Sequence, residues 1–417
     1  MNAPRSSYRR GSWFKAFKLD ADHENVISET DEEKHRKMRL KRTPAYSGAD
    51  NPELESGIDE IICSMITLIE TKYICDLNIR RRMDFAQIAQ FFTLDVITSL
   101  ALSRSFGYLE EDTDIYDCVK TMEEKVPIMN FMSAVPVLSK IMRMHWFQRL
   151  IMPTVDDKLG MGKVKGVARQ LVAQRYGADK DVRLDMIGSF VKHGLTLQEA
   201  ADESLLQILV GSDTSATLIR VAMLHIIGTP QIYTRLVQEV TTTPGLPPLT
   251  AVMTHVQVLR LPYLNACLKE ALRQTPVAAG LMTKVVPPEG DTLPDGTFLP
   301  PGTEIGQCVI GVHHNVEVYG PDADVFRPER WLEAPIGSEQ LAHMERTHEL
   351  SFGYGKFKCL GERIAKMKTM KCIAELIRRY EWRLCYPEKP MEKNSNMGLF
   401  LQKGMWVYVE KRLPTKR

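Results

Sequence analysis

Apolar positions recur at helical spacing through the first 280 residues and give way to short β-prone runs after them. Residues 31–42 are highly charged, with acids first and bases later, the order a helix dipole favours. Residues 84–102 (DFAQIAQFFTLDVITSLAL) are apolar on most sides and predict a buried helix. Residues 157–176 and 185–193 predict amphipathic helices. Thr196 and Glu199 form a capping-box pattern that opens a long helix to Ile227, stopped by Gly228-Thr229-Pro230. A further helix is expected over 261–274, ending before Pro276. From 277 to 328, Pro, Gly and runs such as Lys284-Val285-Val286 and 304–311 predict a small sheet with turns. A last helix follows Gly361, and the tail GLFLQKGMWVYVEKR alternates like a hairpin strand. The fold class is mainly α with a small β portion, without an internal repeat or a low-complexity tract.

Composition narrows the function classes. The 417 residues exceed the roughly 150 of a typical domain, so about two or three domain-sized units are expected. Lys+Arg number 54 and Asp+Glu 52, a net charge of +2 that offers no field for a nucleic-acid backbone. Apolar residues at 44% and charged residues at 25% exclude disorder, collagen and coiled coil as descriptions of the whole chain. Eight cysteines are scattered without CxxC or zinc-finger spacing, and residues 1–18 lack a signal's apolar core, so reduced thiols are expected. The longest apolar run, 205–227, is interrupted by Asp213 and Arg220, so no membrane-spanning segment is expected in this chain.

The strongest chemical signal is 351–361, SFGYGKFKCLG, followed at once by the helix ERIAKMKTMKCIAELIRRY. A cysteine ahead of a helix N-terminus lies where the dipole and free N–H groups favour a thiolate. Gly353, Gly355 and Gly361 permit the turns that bring the sulfur against a flat partner, and Phe352 supplies an apolar wall. An enclosed thiolate of this kind suits an axial ligand of haem iron. Two other readings stand beside it. A lone cysteine is usually a small buried hydrophobe. A Gly-rich turn before a helix also suits phosphate, although no Lys-Ser/Thr follows at the P-loop spacing.

The stretch Phe352-x-x-Gly355-x-x-x-Cys359-x-Gly361 resembles the haem-binding signature of the cytochromes P450. Glu270-Ala271-Leu272-Arg273 resembles that family's ExxR, 326–331 (FRPERW) its PERF segment, and 210–215 (VGSDTS) its oxygen-binding helix motif. All occur in the family's order over about residues 31–417. The resemblance implies heme b with Cys359 on the iron and Phe352, Gly355 and Gly361 in the cofactor loop. It implies that Gly211 gives O2 access to the backbone while Asp213 and Thr214 relay protons. The bland alternative has Thr214 bonded to the Val210 carbonyl, four residues back. Val210 stands where relatives usually have Ala, a change expected to crowd the pocket.

Glu270 and Arg273 share a helix face, and the resemblance makes them a buried triad with Arg330 bracing the haem loop. By the same alignment His35, Arg39 and Lys284 face the haem propionates, and Phe357 stands where relatives often offer a basic donor. Lys356, Lys358, Lys366, Lys368 and Lys371 form a basic rim for an acidic NADPH-cytochrome P450 reductase. Residues 277–283 (VAAGLMT) line a pocket for an apolar small molecule.

Against the family, 1–30 is expected to be an irregular lead and 31–417 the catalytic domain. The membrane anchor, first strands and first helices are expected to be absent, leaving sheet edges unpaired and the pocket open to water. The style of FGYGKFKCLG and YGPDADVFRPERW is similar to fungal pisatin-demethylase-like P450s of secondary metabolism, which oxidise terpenoids, polyketides or alkaloids. The expected function is a haem-thiolate monooxygenase using O2. A haem-thiolate isomerase or dehydratase, or a truncated haem binder without turnover, is the alternative. The resemblance places such enzymes on the endoplasmic reticulum membrane surface; without an anchor in this chain, a cytoplasmic location is the alternative.

Overall fold

The structure is a computed structural model that describes residues 6–413 apart from 77, 143, 179 and 397–398. Helix α1 (Glu32–Ser47) starts where Asp31 accepts the Lys34 N–H at 2.8 Å and ends at Gly48 in the left-handed region, φ +79°. It runs five residues beyond the charged stretch that announced it. Helix α2 (Phe85–Leu102) is buried nearly all round. Its interior carboxylate, Asp95, is satisfied by N–H groups of Gly107, Tyr108 and Leu109 at 2.8–3.1 Å. Among the described residues it is the helix long and apolar enough to cross a membrane, and it forms the core of the fold.

Helix α3 (Leu197–Gly228) packs along α2. Its capping box is reciprocal: Glu199 N donates to Thr196 Oγ1 at 3.2 Å and Thr196 N donates to Glu199 Oε2 at 2.8 Å. Helix α4 (Pro262–Gln274) opens on a proline, whose missing N–H is unneeded in a first turn. Helix α5 (Glu362–Arg379) follows the cysteine loop and carries buried Lys368, Lys371 and Glu375 among its apolar residues.

The β portion consists of short antiparallel pieces. Strand β1 (Arg9–Arg10) pairs with β3 (Lys284–Val285), which pairs in turn with β4 (Glu304–Ile305). Strand β2 (Met83–Asp84) and β5 (Tyr380–Leu384) flank β6 (Trp406–Lys411), whose Val407 and Val409 point into the core. The run 304–311 splits: after β4 the chain turns into a short helix, Val309–His313, capped by the Cys308 sulfur.

The described part of residues 1–30 is not irregular throughout: it carries β1 and a 3-10 helix, Ser12–Phe17. Gly11 N donates to the Thr283 carbonyl at 2.8 Å. Trp13 lies so close to Gly280 that a Cβ there would come within 2.5 Å of its ring. The lead therefore covers the edge of β3 expected to be unpaired. The burial of Trp13 and Phe14 gives the reason it folds back.

Candidate functional site

A cavity of about 1170 Å³ lies between the middle of α3 and the loop before α5. That is somewhat above the range of ordinary ligand pockets, large enough for a flat cofactor together with a small molecule.

The sulfur side is shaped by the loop. Gly353 and Gly355 adopt φ +72° and +59°, conformations that suit glycine. Cys359 N donates to the Phe352 carbonyl at 2.7 Å and closes the turn. The exposed sulfur opens onto the cavity, with protein around the cavity's walls. That enclosure pushes the thiol pKa up, and the N–H groups of Gly361 and Glu362 pull it back down. Gly361, at φ −83°, does not use the backbone freedom expected of it. It keeps space clear instead: a Cβ there would stand 3.9 Å from the sulfur, on the cavity wall. Phe352 also lines the wall.

Val210, Gly211, Asp213 and Thr214 of α3 line the same cavity. Thr214 Oγ1 donates to the Val210 carbonyl at 2.8 Å, so the hydroxyl takes the backbone bond in this conformation. A Cβ at Gly211 would meet Ile97 at 3.1 Å, so the missing side chain lets α2 approach α3 closely. The Gly211 carbonyl accepts from Lys368 Nζ at 2.7 Å. Asp213 sits 4.0 Å from Arg220, and burial raises its carboxyl pKa against the pull of that guanidinium. Arg220 is itself held by the Ala86 carbonyl and Gln90.

One edge of the cavity is cationic. Arg10, Arg39 and Lys284 line it, with His35 buried beside them. Three of these surround Phe357: Lys284 Nζ lies 3.4 Å and the Arg10 guanidinium 5.0 Å from its ring centroid, and the His35 ring 5.7 Å. Burial first, then the neighbouring cations, lowers His35 to about 3, so it is neutral at pH 7. Burial likewise lowers Lys284 to about 7 and Arg10 to about 10. Arg10 Nε and His35 Nε2 are buried with no hydrogen-bond partner among the described residues. Cations beside an orphaned guanidinium N–H and an unpartnered imidazole nitrogen form a cradle for carboxylates.

The brace beneath the loop is fully buried. Arg273 donates from Nε and Nη2 to Glu270 at 2.9 and 2.8 Å, and Arg330 Nε donates to Glu270 Oε1 at 3.0 Å. Trp331 Nε1 adds a bond to Glu270 Oε2 at 2.9 Å. Arg273 also donates to the His313 carbonyl at 2.8 Å, and His313 Nε2 lies 2.6 Å from Ser351 Oγ, the first residue of the loop. The triad thus reaches the cysteine loop through one intervening residue.

The expected basic rim is largely absent. Lys368 and Lys371 are buried, and Lys371 is paired with Glu55 and Asp59. Lys356 is tied to Glu32 and to the carbonyls of Ser6 and Tyr8, while Lys358 and Lys366 share Glu362. Charge counts along a helix cannot say which lysines turn inward.

Sequence reasoning missed Arg10 and Lys368 as site residues. Arg10 lies in YRRGSWF, a string with no spacing relation to the loop, and only strand pairing brings it there. The lead also walls the cavity with Trp13, Phe14 and Phe17, facing Val277, Ala278 and Met282 of the predicted substrate segment. The site expected to lie open thus has a wall on that side.

The family model described as Cytochrome P450 matches residues 3–406. The chain is 38% identical to cytochrome P450 monooxygenase ABA1 of Pyricularia oryzae, over 99% of this chain and 81% of that protein. It is 33% identical to cytochrome P450 monooxygenase aba1 of Botryotinia fuckeliana, over 98% and 80%, and 28% identical to cytochrome P450 monooxygenase pkfB of Emericella nidulans, over 93% and 75%.

Proposed function

This chain belongs to the cytochrome P450 family, whose members bind haem through a cysteine thiolate and use O2 with electrons from a reductase, and we propose that Cys359 is its iron ligand. The chain is a monooxygenase, an oxidoreductase. The observation that carries the ligand reading is one shared cavity. Cys359, Asp213 and Thr214 line it, together with Arg39, Lys284 and Arg10, whose Nε is orphaned. These residues fit heme b with its carboxylates toward Arg10, His35, Arg39 and Lys284.

When bound, the haem supplies O2 activation and transfer of one oxygen atom to a C–H bond. The chain's own residues do the rest. The loop N–H groups stabilise the thiolate form of Cys359. Asp213, whose burial favours its protonated form, can give up a proton at its carboxyl oxygen and regain it through Arg220's surroundings. Thr214 joins that relay when its hydroxyl leaves the Val210 carbonyl. Trp13, Phe14, Val277, Ala278 and Met282 exclude water and favour an apolar substrate. Val210 narrows the space above the cofactor. The Asp213–Thr214 pair favours monooxygenation over an isomerase or dehydratase that needs no O2.

A fungal secondary metabolite such as a terpenoid, polyketide or alkaloid is the substrate class, and NADPH-cytochrome P450 reductase is the electron donor. The family is associated with the endoplasmic reticulum. For this chain a membrane-surface position is supported by Phe131 and Trp146, exposed apolar residues on helices beside the cavity.

The test is the absorption spectrum of the reduced carbonyl complex on the wild type and Cys359→Ser. A red-shifted thiolate-type Soret band that vanishes in the variant supports the reading. An unchanged spectrum in the variant rules out Cys359.

A further inference from the structure

Lys368, on α5, is 1% exposed, and no carboxylate lies within salt-bridge reach of it among the described residues. A buried ammonium without an anion is among the least favourable things a fold can hold. Its hydrogen bond goes to the Gly211 carbonyl at 2.7 Å, and its side chain lines the same cavity as Cys359, Gly211 and Thr214. The charge it feels favourably is that of Cys359, nine residues back across the loop. Burial nonetheless lowers its pKa to about 7 against that pull.

The bonded carbonyl is informative. In α3, Val210 and Gly211 are consecutive, and each carbonyl accepts from a side chain: Val210 from the Thr214 hydroxyl, Gly211 from the Lys368 ammonium. Side-chain donors that enter a helical ladder tip carbonyls outward and fix the local bend. The α3 turn at Gly211 is thus held by one cation from α5, the helix that follows the cysteine loop.

We propose that Lys368 is a positioning residue of the oxygenation reaction. Its ammonium pins the Gly211 carbonyl, fixing the turn that carries Asp213 and Thr214, and serves as the buried counter-charge to the Cys359 thiolate. The inference rests on the haem-thiolate reading above. A fixed cation beside the cofactor favours the reduced iron, which carries one more negative charge.

The experiment uses haem-loaded protein with three variants, Lys368→Met, Lys368→Gln and Lys368→Arg. The readouts are the ferric/ferrous midpoint by dye-mediated titration and the peroxide released per NADPH with reductase. Gln keeps a donor for the Gly211 carbonyl without charge, Met keeps neither, and Arg keeps both. Met and Gln are expected to shift the ferric/ferrous equilibrium toward ferric by about tenfold, equal to about 59 mV for one electron. Arg is expected to restore the wild-type midpoint. Peroxide leakage is expected to rise in Met above Gln, because only Met frees the carbonyl.

Midpoints and leakage equal to wild type in all three overturn the proposal. So does failure of all three to take up haem, which makes Lys368 a folding residue. If wild type itself gives no thiolate-type spectrum, the haem-thiolate reading falls first, and this outcome is separate from the others.

Discussion

Arg10 and Lys284 are direct cross-strand partners in the antiparallel pairing of β1 with β3, and both are buried. Like charges directly opposite destabilise a sheet, so the fold retains at this edge a repulsion that local pairing disfavours. The guanidinium is anchored by the carbonyls of Val26 and Ile27 at 2.7 and 2.8 Å, leaving Nε orphaned. A local conflict of this kind is the mark of a site built for an anion.

Arg10→Met removes a charged donor and is expected to weaken cofactor retention without abolishing it. A hydrogen bond to a charged group is worth about 1.5–3 kcal/mol, so haem transfer to an apo-haem acceptor should speed up by about ten- to a hundredfold. A transfer rate equal to wild type would place the carboxylates elsewhere.

Lys284 gives a pH signature in the haem-free protein. Its folded-state pKa, about 7, lies below the unfolded value of 10.5, so between those values the unfolded chain binds more protons. Stability therefore rises with pH from about 7 to about 10.5 and carries the full penalty of the buried charge below 7. Denaturant midpoints across that range should climb in wild type and flatten in Lys284→Met. Haem loading should flatten them too, since its carboxylates compensate the ammonium.

Glu270→Gln leaves Arg273 and Arg330 facing a neutral amide in a closed interior. Breaking a buried pair this way costs about 3–5 kcal/mol. Because Arg273 also holds the His313 carbonyl and His313 contacts Ser351, lost haem incorporation is expected rather than slower turnover. Haem stoichiometry together with urea unfolding reads both effects.

Asp213→Asn and Thr214→Ala separate the relay from the helix bend. General acid catalysis contributes about 10²–10⁴-fold, so Asn at 213 should slow NADPH-dependent oxidation by about a hundredfold or more and raise the solvent isotope effect. Ala at 214 also frees the Val210 carbonyl, and product formed per NADPH should fall while total NADPH consumption holds. Equal coupling in wild type and Thr214→Ala would confine that hydroxyl to its backbone bond.

The long helices were legible because burial imposes a 3.6-residue period and because caps such as Thr196–Glu199 are local. The cysteine loop and the Glu270–Arg273 pair were legible because their chemistry is written in contiguous residues. What lay beyond reading depended on contacts between distant segments. No periodicity announces that a two-residue strand at 9–10 will find 284–285, since pairing of such short strands is decided by neighbours and not by propensity. Nor does KMKTMK reveal that Lys366 meets solvent while Lys368 turns inward to Gly211.

The sequence by itself determined the helical frame, the family and the placement of a cysteine ahead of a helix N-terminus. Tertiary structure decided which cations surround Phe357, where the lead folds, and that Gly211 makes room for Ile97. The physical reason is range. Helix propensity, capping and motif spacing act over a few residues, whereas charge compensation and close packing belong to atoms that only the folded chain brings together.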